Sequence, residues 1–178
     1  MMGTAKAGTD LERRKVESLT GELLAVYEEL ALLHSLGAQL GPLSDEEQVC
    51  AVALREAMEV LRGDCGWVVL WKNGIRRIPE GCRIQIDLAT LDRVTDAVLA
   101  PSRERGVSQV LLHQVVLHDV DGSRLAGPDA PGRLLACSLS VRGMPLAYIS
   151  VGRRSDGPKF TSADRKLLTA VSSFTGVA

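Results

Sequence analysis

The chain has 178 residues, of which 46% are hydrophobic and 24% are charged, so it can bury one sizeable core without disulfides or metal ions. Its 21 basic and 22 acidic side chains leave a net charge of −1, which favours neither nucleic acid nor an anionic membrane as a partner. The N-terminus lacks the apolar core of a signal peptide, and no stretch approaches the roughly 18 apolar residues of a membrane span, so we expect a cytoplasmic location.

The first predicted element is a long helix over residues 11–41, behind a disordered N-terminus of residues 1–10. Apolar residues recur in this helix with heptad spacing at Val16, Leu19, Leu23, Val26, Leu30 and Leu33. A leading helix of this length has little core to lie against, so we expect these six residues to form the interface of a homodimer. A core helix packed within one chain is the alternative. Gly41-Pro42 should end the helix and act as a hinge to the domain.

A second helix should follow the capping box Ser44-Asp45-Glu46-Glu47, in which Ser44 caps and Glu47 reaches back. Small and β-branched residues at helical spacing give it an apolar face, formed by Val49, Val52, Ala53, Ala57, Val60 and Leu61. We expect Gly63 to end it.

The pattern then changes to that of strands. Trp67–Trp71 is a short apolar run, and the Asn73-Gly74 pair after it is a strong hairpin signal because both residues tolerate positive φ. A returning strand from Ile75 to Ile78 should close at Pro79. A third helix, which Pro101 should end or follow, is marked by Leu91, Val94, Val98 and Leu99.

The second half of the chain predicts a strand over residues 110–120, a Gly-, Pro- and Asp-rich loop over residues 121–132, and a hairpin. The hairpin strands are residues 134–141 and 146–151, joined by Arg142-Gly143-Met144-Pro145. Thr161 or Ser162 should cap a final helix. Its apolar face contains Leu167, Leu168, Val171 and Phe174.

Hairpins require antiparallel pairing, so the order of elements excludes a doubly wound parallel sheet. We therefore predict an α+β domain over residues 42–178, with a central antiparallel sheet that carries its helices on one face. The long coiled-coil-like helix precedes it.

The residues from Ser138 to Val151 form an apolar strand, a basic-Gly turn and a second strand, and Phe160 and Asp164 then open the last helix. This order resembles the GAF domain family over roughly residues 44–178, and PAS domains share much of the architecture. The leading helix, with Tyr27–His34, resembles the signalling helices that precede GAF domains in sensor kinases and in phosphatase or cyclase regulators.

The resemblance implies a sensory or regulatory module, not an enzyme, that acts as a dimer and binds a small molecule or a partner protein. It also implies an output domain to which the change is passed. We expect either a piece of a larger regulator or a chain that acts alone. A protein-interaction scaffold without a ligand is a further alternative.

Two ligands of known GAF domains are not favoured by the motifs. Phe160 and Asp164 match the F and D of the NKFDE pattern of cyclic-nucleotide-binding members, but Gly152-Arg153 replaces the N-K pair and Arg165 replaces the E. Phytochrome-type members attach a bilin through a Cys that is usually beside a His, and no such pair occurs here. The cofactor is therefore left unknown.

If a ligand is bound, its pocket should lie on the sheet face away from the terminal helices, walled by about residues 76–131. The candidates for its lining are Trp67, Trp71, His113, His118 and Cys137. Trp67 and Trp71, four apart on a strand, share one face. His113 and His118, five apart, face opposite sides, so they should not ligate one metal together. An axial haem ligand and an ordinary hydrogen-bonded imidazole are both open readings of either histidine.

A cysteine-dependent enzyme is the competing function. The segment Pro131–Cys137 echoes the GAF branch that reduces free methionine sulfoxide, with one extra residue between Pro-Gly and Ala-Cys. The four cysteines (Cys50, Cys65, Cys82 and Cys137) form no CxxC pair, which is typical of buried thiols rather than of a zinc or redox motif. No activating base is evident beside Cys137.

Overall fold

The computed structural model describes residues 4–41, 45–71, 76–79, 82–83, 86, 88–112, 131–141 and 144–176. The helices are α1 (Thr4–Leu40), α2 (Glu46–Val60), α3 (Leu88–Val94), α4 (Ala100–Glu104) and α5 (Ser162–Thr175), with a π-helical segment (Thr95–Leu99) between α3 and α4. The strands are β1 (Cys65–Leu70), β2 (Arg76–Pro79), β3 (Gln109–Leu112), β4 (Arg133–Val141) and β5 (Met144–Arg153).

The strands form one antiparallel sheet in the order β2-β1-β5-β4-β3, which confirms the predicted α+β class. Both predicted hairpins are present, as β1 with β2 and β4 with β5, whereas the residues at their tips, 73–74 and 142–143, lie outside the described residues. The strand predicted over residues 110–120 is described only as far as Leu112, and the predicted loop over 121–132 only from residue 131.

Helices α1, α2 and α5 pack on one side of the sheet, here called the proximal face. The prediction that all helices lie on one face is wrong for α3 and the π-helical segment, which pack on the opposite face. Strand residues of alternating position point to it, among them Val68, Cys137, Ile149 and Val151. They form a single apolar core with the helices, to which α2 contributes Ala53, Leu54, Ala57 and Met58, and α5 contributes Leu168 and Val171. This core is the larger of the two apolar clusters of the described residues, and it fixes the sheet against the terminal helices.

Helix α1 is longer and more firmly attached than the sequence predicted. It begins at Thr4, so residues 4–10, expected to be disordered, are helical. Its last turns bury Leu32, Leu36 and Leu40 in the proximal core, each at most 4% exposed. A hinge at Gly41 is therefore wrong, because α1 could swing there only by withdrawing three leucines from the core.

Polar contacts hold the same turns of α1 against α2. The Gln39 amide donates to the Glu56 carboxylate at 2.7 Å, and the Ser35 hydroxyl donates to the other oxygen of that carboxylate at 3.4 Å. Gln39 also donates to Ser35 at 3.0 Å, which closes the cluster. Helix α1 thus has a docked C-terminal part and a projecting N-terminal part.

The ends of α2 differ from the sequence prediction in detail. Asp45 caps its N-terminus by accepting from the Glu47 backbone N–H at 3.3 Å, whereas the predicted capping residue, Ser44, lies outside the described residues. At the C-terminus the left-handed position is taken by Arg62, with φ of 49°, and not by Gly63. Gly63 is needed for another reason: a Cβ there would lie 2.4 Å from Val151 Cγ1.

Phe160 and Asp164, which were predicted to open the last helix, lie at its start. Thr161 caps α5 in a reciprocal capping box with Asp164, and Phe160 is buried. Arg153, 5% exposed, lies between them, with its guanidinium 4.1 Å from the Phe160 ring centroid and 3.3 Å from the Asp164 carboxylate. It also donates to the backbone carbonyl of Leu61, so one side chain ties α2, β5 and α5 together.

Candidate functional site

The sheet face opposite α1, α2 and α5, here called the distal face, carries a second apolar cluster. The alternate residues of the central strands face it, and the cluster consists of Cys65, Trp67, Val69, Leu91, Val94, Leu99, Val110, Leu134, Ala136 and Tyr148. Three of these members come from α3 and the π-helical segment, which cover the strands from outside. The pocket predicted from the sequence would lie on this face, which is turned away from α1, α2 and α5.

Trp67 and Trp71 lie on the distal face together, as their spacing predicted. Trp67 is fully buried in the cluster and Trp71 packs against its edge, half-buried. The Arg103 guanidinium from α4 lies over the Trp71 ring, 4.9 Å from its centroid, in cation–π geometry. Neither indole N–H has a hydrogen-bond partner among the described residues, although both nitrogens are buried.

Ser150 lies directly across from Trp67, since the two residues are paired between β5 and β1. The serine is fully buried, and its hydroxyl also lacks a hydrogen-bond partner among the described residues. A buried donor without an acceptor costs about 1–3 kcal/mol, so such groups usually have a partner. Two indole N–H groups and one hydroxyl in an apolar surrounding are suited to a small molecule that has hydrogen-bond acceptors on a largely apolar body.

The cover of the distal face is a helix with an irregular middle. Residues 95–99 adopt π-helical hydrogen bonding, so that the Ala100 N–H donates to the Thr95 carbonyl. The Thr95 hydroxyl, itself buried, donates to the Leu91 carbonyl at 2.8 Å. Pro101 was predicted to end or follow the helix that carries Leu91, Val94 and Leu99. It follows that stretch and lies in the first turn of α4, where a missing N–H is tolerated, so the helix continues to Glu104.

Tyr148 attaches this cover to the sheet. Its ring is buried in the distal cluster, and its hydroxyl donates to the Val107 carbonyl, in the connection from α4 to β3. Burial raises the pKa of the Tyr148 hydroxyl, whereas the charge of Arg103 lowers it. The phenol therefore stays protonated at neutral pH and keeps donating this hydrogen bond.

Cys137 does not lie with Trp67 and Trp71, so the prediction that it lines the same pocket is wrong. It pairs with Ile149 on β5 and points to the proximal face, under α5. Burial raises the pKa of its thiol, while the Ser172 and Thr169 hydroxyls of α5 partly offset this rise. A protonated, buried thiol behind a helix is a poor nucleophile.

The remaining candidates are the two histidines. His113 and His118 lie outside the described residues. In the part of the chain that the structure describes, no three His, Cys, Asp or Glu side chains come close enough together to hold a metal ion. Ser150, Arg103 and Tyr148 were not singled out from the sequence. The alternation of β5 could have pointed to Ser150, because a serine in the middle of an apolar strand is a polar group placed where burial is expected.

The predicted dimer residues form a stripe on the projecting part of α1, here called the α1 stripe. Val16, Leu19, Leu23, Val26 and Leu30 are all more than half exposed, and Leu33 is half-buried beside the groove between α1 and α5. Leu24 and Tyr27 add exposed apolar surface next to the stripe. No helix within the described ranges is both long and apolar enough to cross a membrane.

The GAF domain family model matches residues 45–178 of the chain. Among solved structures, the chain is similar to the GAF domain of a putative sensor histidine kinase from Pseudomonas syringae pv. tomato, with 15% identity, a TM-score of 0.59, and coverage of 93% of this chain and 89% of that one. No curated protein matches the sequence.

Two further solved structures have the same fold. The GAF domain of a phosphoenolpyruvate-protein phosphotransferase from Coxiella burnetii is 12% identical, with a TM-score of 0.59 and coverage of 85% of this chain and 92% of that one. A methyl-accepting chemotaxis protein, residues 122 to 287, is 12% identical, with a TM-score of 0.60 and coverage of 80% and 93%. The family model spans most of the chain and these folds agree with the sheet order and helices described above, so the chain belongs to the GAF domain family.

Proposed function

We propose that this protein is a non-catalytic regulatory domain of a cytoplasmic signal-transduction protein, which acts as a homodimer through α1 and responds to a small molecule held at the distal face. The single observation that carries the proposal is the α1 stripe: Leu19, Leu23 and Leu30 are 64%, 71% and 60% exposed. Burial of one such side chain contributes about 1.5–3 kcal/mol, so pairing two stripes offers a large gain.

The spacing of the α1 stripe favours a second copy of the chain as its partner. Its members recur at alternating intervals of three and four residues, which is the pattern of a two-stranded coiled coil. The C-terminal turns of the same helix are built into the proximal core through Leu32, Leu36 and Leu40. A change in how two α1 helices pair would therefore alter the packing of the proximal core. A change in that packing would in turn alter the pairing.

The neighbouring leucines Leu23 and Leu24 provide a matched test of the dimer. Both are more than half exposed, but only Leu23 occupies a core position of the heptad. We expect Leu23→Glu to yield a monomer and Leu24→Glu to remain a dimer, because only the first places a charge in the buried contact. Light scattering after size-exclusion chromatography measures both masses. A monomeric wild type at about 100 μM, or two variants that behave alike, would argue against the heptad pairing.

The proposed ligand accounts for the buried polar groups of the distal face. The Trp67 indole N–H and the Ser150 hydroxyl are buried on paired residues and have no hydrogen-bond partner among the described residues. A ligand with acceptor atoms would provide those partners. The chain contains only these two tryptophans, Trp67 and Trp71, and both lie on this face. Their fluorescence therefore reports on the site alone.

Native mass spectrometry of the protein purified from its own host tests the ligand. We expect an additional mass of a few hundred daltons that is released on denaturation and whose release shifts the tryptophan emission. The variant Ser150→Ala should retain less of it, whereas Thr20→Ala, on the projecting part of α1, should retain the same amount. Protein of unmodified mass in every preparation would instead favour a ligand-free interaction scaffold.

The cysteine-dependent reductase gains no support from the geometry. Cys137 is buried beneath α5, its pKa is raised by burial, and Trp67 and Trp71 lie on the other side of the sheet.

The proposal also includes an output domain or a partner protein that receives the signal. The kinase, phosphotransferase and chemotaxis proteins with the same fold support a signalling role of this kind.

A further inference from the structure

A positive charge lies at the edge of the distal face, on Arg103 of α4. Its side chain is exposed, and its guanidinium lies over the Trp71 ring, 4.9 Å from the ring centroid. Burial raises the pKa of the Tyr148 hydroxyl and the charge of Arg103 lowers it, so this charge also acts on the sheet. In the described part of the chain, no carboxylate lies within ion-pair distance of Arg103, which leaves this cation without a matching anion.

The stacked arrangement leaves the hydrogen-bonding groups of Arg103 available. A guanidinium that lies over an aromatic ring uses its flat face, whereas its five N–H donors point outward in its own plane. Two of these donors can bind two oxygens of a carboxylate or a phosphate at once. Arg103 can therefore keep its contact with Trp71 and bind an anion at the same time.

The unpartnered polar groups of the strand residues on this face are hydrogen-bond donors. The indole N–H groups of Trp67 and Trp71 can only donate, and the Ser150 hydroxyl can donate as well as accept. All three groups are buried and lack a partner among the described residues. A ligand that complements them and Arg103 needs a negative charge at one end and a hydrogen-bond acceptor toward the other.

The acidic residues of the helical cover do not fill this role. Asp96 and Glu104 are exposed to solvent, and Asp92, which is half-buried, already makes an interaction of its own. Burial of a charge is costly unless the charge is paired, so the charged end of a ligand should stay at the exposed edge beside Arg103. Its apolar part would then lie toward Trp67.

We propose that the ligand of the distal face is a small organic anion, a carboxylate or a phosphate ester with an elongated apolar body, whose charged group pairs with Arg103. Trp67 and Trp71 are four residues apart along a strand, a distance of about 13 Å, so a molecule that reaches both is longer than an inorganic ion. The inference rests on the proposed function, because it names the class of ligand that the distal face would hold.

The charge of the molecule that the protein retains tests this inference. Protein purified from its own host is denatured, and the released molecule is passed over an anion-exchange resin at neutral pH and weighed in negative-ion mode. We expect the resin to retain it. Methylation then identifies a carboxylate, and loss of phosphate to alkaline phosphatase identifies a phosphate ester. A released molecule that the resin does not retain overturns the inference but not the proposed ligand binding, whereas both fail if no molecule is released.

Two probes of the same length that differ in charge test the pairing with Arg103. Isothermal titration calorimetry on the full 178-residue chain compares 5-phenylpentanoate with its neutral amide, 5-phenylpentanamide. We expect the acid to bind about tenfold more tightly than the amide, because a charge-assisted hydrogen bond is stronger than a neutral one. Equal binding of the acid and the amide, or no measurable binding of the acid, would overturn the inference.

Variants of two exposed arginines distinguish a specific contact from general attraction. Arg103→Gln should bind the acid about tenfold more weakly than the wild type and the amide equally well. Arg103→Lys should lose only part of the affinity for the acid, since lysine keeps the charge but not the planar fork. Arg105→Gln, two residues further along the chain, is the matched control and should bind both probes as the wild type does. Equal losses in Arg103→Gln and Arg105→Gln would contradict the assigned contact.

Discussion

At the residue scale, the C-terminal end of α2 places a non-glycine residue, Arg62, in the left-handed backbone conformation. The Gly63 N–H donates to the Met58 carbonyl at 2.8 Å and the Arg62 N–H to the Glu59 carbonyl at 3.1 Å, which is the pair of bonds of a Schellman motif. This motif puts Arg62 in the left-handed region, where glycine is usual and where other residues cost about 1–2 kcal/mol. Glycine is instead at position 63, where Val151 leaves no room for a side chain.

Replacement of Arg62 by glycine should therefore stabilise the protein. Glycine relieves the left-handed strain but loses more entropy on folding, about 0.5–1 kcal/mol, so we expect a net gain of roughly 0.5–1 kcal/mol. In a chain of this size, that gain corresponds to a rise in melting temperature of about 1–4 °C. Thermal unfolding followed by circular dichroism measures it.

Arg62→Ala is the control for this substitution. It removes the same exposed side chain but keeps the Cβ atom that causes the strain, so the melting temperature should not rise. Equal stabilisation by alanine and glycine would show that the arginine side chain, and not the backbone conformation, is the unfavourable element.

At the element scale, periodicity was sufficient to predict the strands and most of the helices. The alternation in β4 and β5 and the i, i+3, i+4 spacing in α2 and α5 are properties of adjacent residues, and the structure confirms these elements. The cap of α2 moved by one residue, from Ser44 to Asp45, because both are good caps and their order alone does not decide between them.

The course of the helix that covers the distal face could not be predicted in the same way. Pro101 normally signals a helix end, since it cannot donate to the preceding turn. Here the π-helical hydrogen bonding of residues 95–99 places Pro101 in the first turn of a new helical segment, where no donor is needed. Whether a proline ends a helix or follows an irregular turn depends on the packing of Leu91, Val94 and Leu99 on the sheet, which is a tertiary property.

For the candidate site, the sequence could predict which residues of one strand share a face, but not which residues of different strands do. Trp67 and Trp71 were correctly placed on one face because strand residues alternate along a single chain. Cys137 was misplaced because its face relative to Trp67 depends on the register of β5 between them, where Trp67 pairs with Ser150 and Cys137 with Ile149. Register is set by long-range pairing, and a shift of one residue exchanges the two faces.

At the scale of the whole molecule, the two parts of α1 have different surroundings. Its projecting part carries the α1 stripe, and its last turns complete the proximal core through Leu32, Leu36 and Leu40. The two sets of apolar residues meet at Leu32 and Leu33 and lie on different sides of one helix, and the sequence analysis identified only the heptad set. In the proposed signalling dimer, one continuous helix would join the contact between the two copies to the domain core.

Two truncations distinguish these parts of α1. Deletion of residues 1–28 removes most of the α1 stripe but none of the three core leucines, so we expect a folded monomer with a melting temperature close to that of the full chain. Deletion of residues 1–40 removes all three leucines. Loss of one buried leucine side chain costs about 2–5 kcal/mol, and a typical domain has only about 5–15 kcal/mol in total, so this truncation should unfold or aggregate at 25 °C.

Circular dichroism melts and light scattering on both truncated chains measure these outcomes. If the chain lacking residues 1–40 melts as cooperatively as the one lacking residues 1–28, the last turns of α1 are not needed for the fold of the domain. If the shorter deletion remains dimeric, the contact between copies involves Leu30, Leu33 and the groove beside α5 rather than the projecting stripe. The expected pattern is a stable monomer when residues 1–28 are deleted and loss of the fold when residues 1–40 are deleted. It would show that one helix carries both the contact between copies and part of the domain core.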